Sequence, residues 1–173
     1  SMMKFKTGLV SLLVVCGACS QTPQKVDVVK DSFDFAGQQL MYAFTQVDSV
    51  KAAVSEESSK KKLVSPRTIA DDGSFKMVAS RDWTSGFFPG ELWYMYEYTQ
   101  DDYWKKKAED FTAPIEDQKT NGGTHDMGFK MYCSFGNGYR LTKDAAYKDI
   151  LLESAATLIT RYKPTIGCIR SWD

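Results

Sequence analysis

The spacing of apolar residues along the chain predicts five helices. Leu40, Phe44 and Val47 recur about one helical turn apart, so residues 32–54 are expected to form the first helix. The remaining four segments are marked by Leu92, Met95, Tyr96 and Thr99; by Trp104, Ala108, Phe111 and Ile115; by the run from Met127 to about Tyr139; and by Leu151, Ala155, Leu158 and Tyr162. The two-residue alternation of strands is almost absent, so the chain is expected to be all-α.

Polar and helix-breaking residues separate the first two helices. Residues 56–62 form a charged, serine-rich break, and Pro66 excludes a helix because it lacks a backbone N–H. The following segment, 68–80, is expected to be irregular or briefly extended. Within it the pair Asp72-Gly73 predicts a turn.

Other boundaries follow from capping residues and prolines. Thr84 or Ser85 is expected to cap the second helix, just before Pro89 in its first turn. Thr142 or Asp144 is expected to cap the fifth helix in the same way. Pro114 is expected to shorten or kink the third, and Pro164 and Gly167 to end the fifth.

The loops with unusual composition lie before the second helix, before the fourth helix and after the fifth. Alternate connections of a helical-hairpin array emerge at the same end of the molecule. The sequence therefore predicts a helical toroid whose cleft opens at the end that carries these loops.

Charge and composition narrow the classes of function. The 173 residues carry 22 basic and 22 acidic side chains, so no basic excess points to a nucleic-acid partner. A hydrophobic fraction of 43% is ordinary for a globular domain. Aromatic residues make up 13% and concentrate in residues 83–104, which suits a helical core or a cleft that stacks on flat ligand faces.

The N-terminal region has the pattern of an export signal. Lys4 and Lys6 precede an apolar run at 9–15 that is too short to span a bilayer. Small residues then lead into Cys19, so residues 1–18 are expected to be a lipoprotein-type signal peptide and Cys19 the lipidated residue. Cys16 stands where an aliphatic residue is usual, and a plain secretory signal is the alternative. Residues 19–31 would then be a polar tether, and the domain would cover 32–173. Either alternative places the protein outside the cytoplasm, in the periplasm or at the outer membrane.

Two further cysteines and one histidine give no metal-binding spacing. Cys133 lies in an apolar helical pattern and is expected to pack as a small hydrophobic residue, although an exported chain could pair it with Cys168. The single histidine, His125, and these scattered thiols do not have the spacing of a metal site. We therefore expect neither a zinc site nor any other cofactor.

The stretch from Gly122 to Phe129 is the strongest candidate for chemistry. It places His125 beside Asp126, after two glycines that let backbone approach a ligand closely. The alternative is structural, with Asp126 capping the helix that follows by accepting backbone N–H groups. The two roles are compatible.

Several motifs together resemble one enzyme family. They are Trp83-Thr84-Ser85-Gly86-Phe87-Phe88-Pro89-Gly90-Glu91-Leu92-Trp93, Thr124-His125-Asp126-Met127-Gly128-Phe129, Tyr139-Arg140-Leu141-Thr142 and Ile169-Arg170-Ser171-Trp172. In this order the motifs resemble the unsaturated glucuronyl hydrolases of glycoside hydrolase family 88. The resemblance covers about residues 33–173.

The resemblance implies an (α/α)6 barrel acting on the 4,5-unsaturated uronic acid that polysaccharide lyases leave on glycosaminoglycan-type oligosaccharides. Enzymes of this family hydrate the vinyl ether double bond, with protonation at C4 and addition of water at C5. By position, Asp126 matches one of two essential aspartates and His125 a substrate contact. Trp83 and Trp172 match aromatic platforms in the cleft.

The chain departs from the family in length. A complete barrel of twelve helices with its loops needs roughly 200 residues, whereas five helices are predicted here. The sequence therefore predicts the N-terminal half of a barrel, with apolar helix faces exposed. The second essential aspartate is expected beyond residue 173, since Asp173 follows Trp172 too closely to be that residue.

Three alternatives to this enzyme stay open. The chain could be a non-catalytic, surface-anchored glycan-binding lipoprotein, which needs no second carboxylate. It could also be part of an unsaturated rhamnogalacturonyl hydrolase, a related enzyme that shares the barrel and the chemistry. In the third case the chain is a helical scaffold whose tryptophans are all core residues.

Overall fold

The computed structural model describes residues 27–53 and 62–171, and helices dominate this part of the chain. The α-helices are α1 Val28–Ala53, α2 Phe87–Thr99, α3 Asp102–Thr112, α4 Asn137–Thr142 and α5 Ala145–Ile159. A 3-10 helix covers Ala113–Thr120 and a π-helix covers Gly128–Gly136. Two antiparallel hairpins complete the described residues, with strands β1 Leu63–Ile69, β2 Phe75–Ala79, β3 Tyr162–Lys163 and β4 Cys168–Ile169.

Three of the predicted helices agree with the structure apart from their ends. Helix α1 begins at Val28 rather than at residue 32. Helix α3 gives way to the 3-10 helix at Ala113, where Pro114 supplies no N–H. Asp144 caps α5 as predicted, since its side chain accepts a 2.8 Å hydrogen bond from the amide of Ala146.

The predicted cap of α2 is wrong. The helix starts after Gly86, whose position has no side-chain cap. Thr84 instead donates its backbone N–H and its hydroxyl to Asp82, and the Ser85 hydroxyl donates to the carbonyl of Ser80. Both candidate caps therefore serve the loop before the helix.

The segment after α1 is more regular than its sequence predicts. Strands β1 and β2 pair in an antiparallel hairpin with register shifts beside Leu63 and Pro66. The predicted turn is confirmed, because Gly73 has a φ of +83° that favours glycine, and Asp72 accepts hydrogen bonds from the amide and hydroxyl of Ser74.

The predicted fourth helix is present, but most of it is not α-helical. Residues Gly128–Gly136 form a π-helix, which then tightens into α4. Side chains bond to carbonyls in this region: the Ser134 hydroxyl donates to the carbonyl of Lys130 at 2.5 Å, and the Asn137 amide donates to that of Cys133 at 2.9 Å. π-helices are rare and frequently lie at functional sites.

Two apolar clusters form the core. The first joins α1, α2 and α3 around Leu92, Trp93 and Ala108, which are fully buried. The Trp93 indole N–H donates to the hydroxyl of Thr112 at 3.0 Å, which satisfies its polar group inside this cluster. The second joins β1, the 3-10 helix, the π-helix and α5, with Ile115 fully buried among its residues.

The stripe predicted as the core face of α5 is not its buried face. Ile150 and Ser154 are buried instead, while Leu151 and Leu158 are half-buried and Ala155 is exposed. Leu151, Ala155 and Leu158 of the predicted stripe line an open, largely apolar groove of about 480 Å³ between α5 and the π-helix. Other large apolar side chains are exposed as well, including Phe35, Tyr132, Leu152 and Ile159.

Several predictions concern residues outside the described ranges: the signal at 1–18, Cys19, Trp172 and Asp173. Among the described residues, none of the helices combines the length and apolar character required to cross a membrane.

Candidate functional site

The loop that carries Trp83 is fixed by hydrogen bonds from several directions. The buried Ser65 of β1 donates its hydroxyl to the carbonyl of Ser85 at 2.8 Å. Asp82 accepts from Thr84 and forms a 2.9 Å ion pair with Arg67. Burial by itself would raise the pKa of Asp82, but the hydrogen bonds from Thr84 and the nearby Arg67 outweigh it and lower the pKa. Asp82 therefore acts as a fixed anion that shapes the loop.

Three aromatic rings form an exposed cluster beside this loop, which we call the aromatic triad: Trp83, Phe87 and Phe129. Their ring centroids lie 5.5–5.8 Å apart in edge-to-face arrangements. Trp83 is 44% exposed and Phe129 is 48% exposed, so they are not core residues. The guanidinium of Arg67 lies 5.9 Å from the Trp83 ring centroid. The triad offers flat apolar surface at the end of the molecule that carries the loops.

Gly86 brings the Trp83 loop against the start of the π-helix. A Cβ atom at Gly86 would collide with the carbonyl oxygens of Phe129 and Lys130 and would lie 2.8 Å from the Cα of Lys130. Only a residue without a side chain permits this approach. The sequence places Trp83 and the His125-Asp126 pair far apart, and this packing brings their two loops together.

The predicted His-Asp pair is present and partly accessible. The Nε2 atom of His125 lies 3.4 Å from Oδ1 of Asp126, and their side chains are 28% and 17% exposed. The Thr124 hydroxyl is 3.2 Å from the other Asp126 oxygen and also accepts the backbone N–H of Asp126. The expected capping role is wrong, because the helix starts after Met127 without a side-chain cap. The Asp126 carboxylate is thus directed to the loop rather than to helix amides.

Arg161 joins the loop after α5 to the first residues of the loop that carries His125 and Asp126, which we call the His-Asp loop. This buried side chain donates to the carbonyl of Gly122 at 3.0 Å, to that of Arg170 at 2.9 Å and to that of Ser171 at 3.0 Å. Ser171 is the last described residue, immediately before Trp172 in sequence. Loops before α2, before the π-helix and after α5 therefore come together at one end, as the helical-hairpin pattern predicts.

A buried polar cluster lies behind the site and was not predicted. Lys130 is fully buried and donates from Nζ to Oε1 of Gln118 at 3.1 Å. Gln118 continues to the hydroxyl of Ser80 at 3.2 Å and to Asp117 at 3.1 Å, and the Ser80 hydroxyl donates to Asp117 at 2.9 Å. Desolvation lowers the pKa of Lys130, against the opposing effect of the carboxylates of Asp126 and Asp117.

An apolar groove of about 460 Å³ adjoins the triad on the side of α1 and β1, with Phe87 and Arg67 in its lining. Glu91 also lines it, and burial raises the pKa of this carboxyl group. Within residues 27–53 and 62–171, no three His, Cys, Asp or Glu side chains are grouped so that they could hold a metal ion. Cys133 and Cys168 are free thiols, the first half-buried and the second exposed.

Helical hairpins whose aromatic and acidic loops gather at one end are the arrangement of an α/α toroid. No protein-family model matches the chain. The resemblance of its motifs to unsaturated glucuronyl hydrolases is nevertheless confirmed by sequence. The chain is 59% identical over 97 residues to the unsaturated glucuronyl hydrolase of Formosa agariphila, which covers 56% of this chain and 24% of that protein. It is 34% identical over 106 residues to the enzyme of the same name from a Bacillus species, covering 58% and 28%.

Solved structures agree with the sequence comparison. An unsaturated glucuronyl hydrolase described as specific for heparin aligns with a TM-score of 0.64 and 36% identity, over 81% of this chain and 36% of that one. The enzyme of Streptococcus agalactiae aligns with a TM-score of 0.57 and 29% identity, over 62% and 28%. The predicted fold class, an incomplete (α/α)6 barrel, is thereby confirmed. The chain spans about a quarter of the length of the curated relatives it matches.

Proposed function

We propose that this chain forms part of an unsaturated glucuronyl hydrolase. The complete enzyme would remove 4,5-unsaturated glucuronic acid from the non-reducing end of oligosaccharides that polysaccharide lyases release from glycosaminoglycan-type chains. The relatives named for this activity support the proposal, and one solved relative is described as specific for heparin.

The observation that carries the proposal is the meeting of two loops. Packing at Gly86 places the Trp83 loop against the residues that follow His125 and Asp126. An exposed indole and a partly exposed carboxylate on neighbouring loops suit a sugar ring, because the apolar ring face stacks on an aromatic surface while a carboxyl group reaches the ring oxygens and carbons. In this proposal Trp83 is a platform, and His125 contacts the substrate. The first essential carboxyl group is that of Asp126.

The chemistry needs acid–base groups rather than attack at the anomeric carbon. A proton is added to C4 of the vinyl ether, and water adds at C5 after losing a proton to a base. The hemiketal formed at C5 then opens, and the neighbouring sugar leaves. A reaction of this kind uses one carboxyl group that stays protonated and one that is ionised. Asp126 supplies one of them, and the second is proposed to come from the remainder of the barrel, together with Trp172 as a further platform.

An Asp126→Asn variant of the complete gene product tests this assignment. Turnover of an unsaturated disaccharide is followed by the loss of absorbance of its double bond. The variant is expected to lose at least about a hundredfold in kcat, with little change in stability. Asp149→Asn, on the exposed side of α5, is the matched control and should retain wild-type turnover. Undiminished turnover by the Asp126→Asn protein would rule out the role given to Asp126.

A non-catalytic glycan-binding protein is the second candidate, because the exposed triad could bind a sugar without a carboxyl group, although the relatives named as hydrolases do not favour it. Calorimetry with the same disaccharide separates the two. Binding without any turnover by the complete gene product would favour the binding protein. The helical-scaffold alternative is disfavoured by Trp83, which lies outside the core.

We also propose that the protein is exported and anchored through Cys19, from the charged, apolar and small-residue pattern of the first nineteen residues. The substrate would then be met in the periplasm or at the outer membrane, with contact to the membrane only through the lipid. Expression with a labelled fatty acid should label the wild-type protein and not Cys19→Ser. A soluble, unlabelled wild-type product would instead indicate a plain secretory signal.

A further inference from the structure

Lys130 is a fully buried lysine four residues after the candidate carboxylate. We propose that it is a positioning residue, whose buried ammonium group, fixed by Gln118, supplies a positive charge to the loop of Asp126. The expected effect on catalysis rests on the proposed function, whereas the expected effect on the surroundings of Asp126 does not.

The side chain of Lys130 is fixed at its tip. Its Nζ atom donates to Oε1 of Gln118 at 3.1 Å, and Gln118 is itself held by the hydroxyl of Ser80 and by Asp117. The chain of hydrogen bonds runs from the 3-10 helix to the end of β2. A lysine side chain has several rotatable bonds, and this network selects one conformation for them.

The backbone of Lys130 is fixed as firmly. Its amide donates to the carbonyl of Asp126 at 3.3 Å, and its own carbonyl accepts the Ser134 hydroxyl. On the opposite side the residue is packed against Gly86. Lys130 therefore connects the loop of Asp126, the loop of Trp83 and the 3-10 helix.

The charges that face the ammonium group come from each of these elements. Asp126 acts from the His-Asp loop, Asp117 from the 3-10 helix, and Asp82 and Arg81 from the Trp83 loop. Three carboxylates and one guanidinium leave a net negative charge around Nζ of Lys130. This charge favours the positively charged form of Lys130 and offsets part of the free-energy cost of burying it.

A buried cation is costly for the fold, which is why its presence here points to function. Replacing a buried ion with an apolar residue of similar volume is often neutral or stabilising. Methionine has nearly the length of lysine and would fill the same space. A role limited to filling this space would be met equally well by methionine, whereas the site would lose its fixed charge.

The test compares Lys130→Met and Lys130→Gln with the wild type, and uses Lys148→Met on exposed α5 as the control for loss of one charge. Lys130→Arg is the conservative variant. His125 is the only histidine of the chain and lies 3.4 Å from Asp126, so its ring resonances in NMR spectra report on the site without any need for activity. Melting temperature is measured for every variant, and kcat and KM are measured on the complete gene product.

We expect Lys130→Met to keep its melting temperature, to shift the His125 ring resonances and to lower kcat by about tenfold while KM changes less than about twofold. Lys130→Arg should recover part of kcat. Lys148→Met should match the wild type in each measurement.

Unchanged His125 resonances and kcat in a folded Lys130→Met or Lys130→Gln protein would overturn the proposal. So would the failure of both variants to fold, since Lys130 would then serve stability alone. If the wild-type gene product does not turn over unsaturated disaccharide, the proposed function fails, but the His125 resonances still decide whether Lys130 acts on the site.

Discussion

Replacing Gly86 with alanine gives a direct test of how the candidate site is assembled. The backbone at Gly86 has φ −84° and ψ −13°, which alanine adopts without strain. The effect of the substitution is therefore steric. The new Cβ would meet the carbonyl oxygens of Phe129 and Lys130, which are backbone atoms that cannot rotate away as a side chain would.

The size of the effect follows from the need to separate two packed segments. Overpacking a well-packed interior costs about 1–3 kcal/mol, and a collision with backbone belongs at the upper end of that range. For a domain of this size, about 3 kcal/mol corresponds to a loss of about 6–12 °C in melting temperature. The aromatic triad would also open, since Phe87 directly follows Gly86 and Phe129 is in the opposing segment.

Thermal unfolding followed by circular dichroism measures this loss. Gly128→Ala is the matched control, because a Cβ at Gly128 meets nothing within 4 Å and its φ lies outside the range that favours glycine. This control should be neutral or slightly stabilised. If Gly86→Ala melts within about 1 °C of the wild type, the two loops are not packed as described. The assembly of the candidate site from these loops would then be wrong.

Three further substitutions address the platform, the third loop and the core. Trp83→Ala should weaken binding of an unsaturated disaccharide by about tenfold, from the loss of about 1.4 kcal/mol of stacking, with the melting temperature unchanged; equal affinity in calorimetry would exclude the platform role. Arg161→Met removes three donors to carbonyl oxygens and should cost about 2–3 kcal/mol in urea unfolding; a loss below about 0.5 kcal/mol would show that water replaces the guanidinium. Burial raises the pKa of Tyr147 to about 12 from a usual 10.0, so the folded state keeps this phenol protonated and loses stability as pH rises between those values. Tyr147→Phe should lose less stability across that interval, and parallel losses in both proteins would contradict the assignment.

The sequence predicted those elements whose stability depends on one repeating face. Of the predicted stripe Trp104, Ala108, Phe111 and Ile115, all are buried except Phe111, which is half-buried and packs against the core. Asp144 was predicted as a cap and bonds as one. Both predictions depend on residues close in sequence, because neighbours one helical turn away largely determine whether a side chain is buried or caps the helix.

The errors arise where contacts distant in sequence decide the structure. The β1–β2 hairpin was missed because Pro66 interrupts its pattern, and two register shifts accommodate that interruption. The π-helix has no signature in a 3.6-residue period. Lys130 carried no signal either, because lysine is almost never fully buried and its partners come from segments twelve or more residues away.

The sequence predicts which residues belong to the candidate site but not how the fold brings them together. Trp83 and Trp93 stand in the same aromatic-rich stretch, yet one is exposed and the other is fully buried. The difference is that Trp83 precedes α2 whereas Trp93 is on its inner face. The contact of Phe129 with Trp83 depends on the absence of a side chain at Gly86, which composition alone does not reveal.

The π-helix also affects which insertions and deletions this region can accept during evolution. A π-helix bonds each residue to the fifth one along, so the removal of one residue from Gly128–Gly136 converts the segment to ordinary α-helical bonding without breaking it. Such a deletion would be mild for the fold. It would also change the rotation of the segment before it relative to the segment after it, because a π-helix turns less per residue than an α-helix. The direction of Asp126 relative to the loop of Trp83 would change with it, so a single deletion here would keep the helix and alter the site.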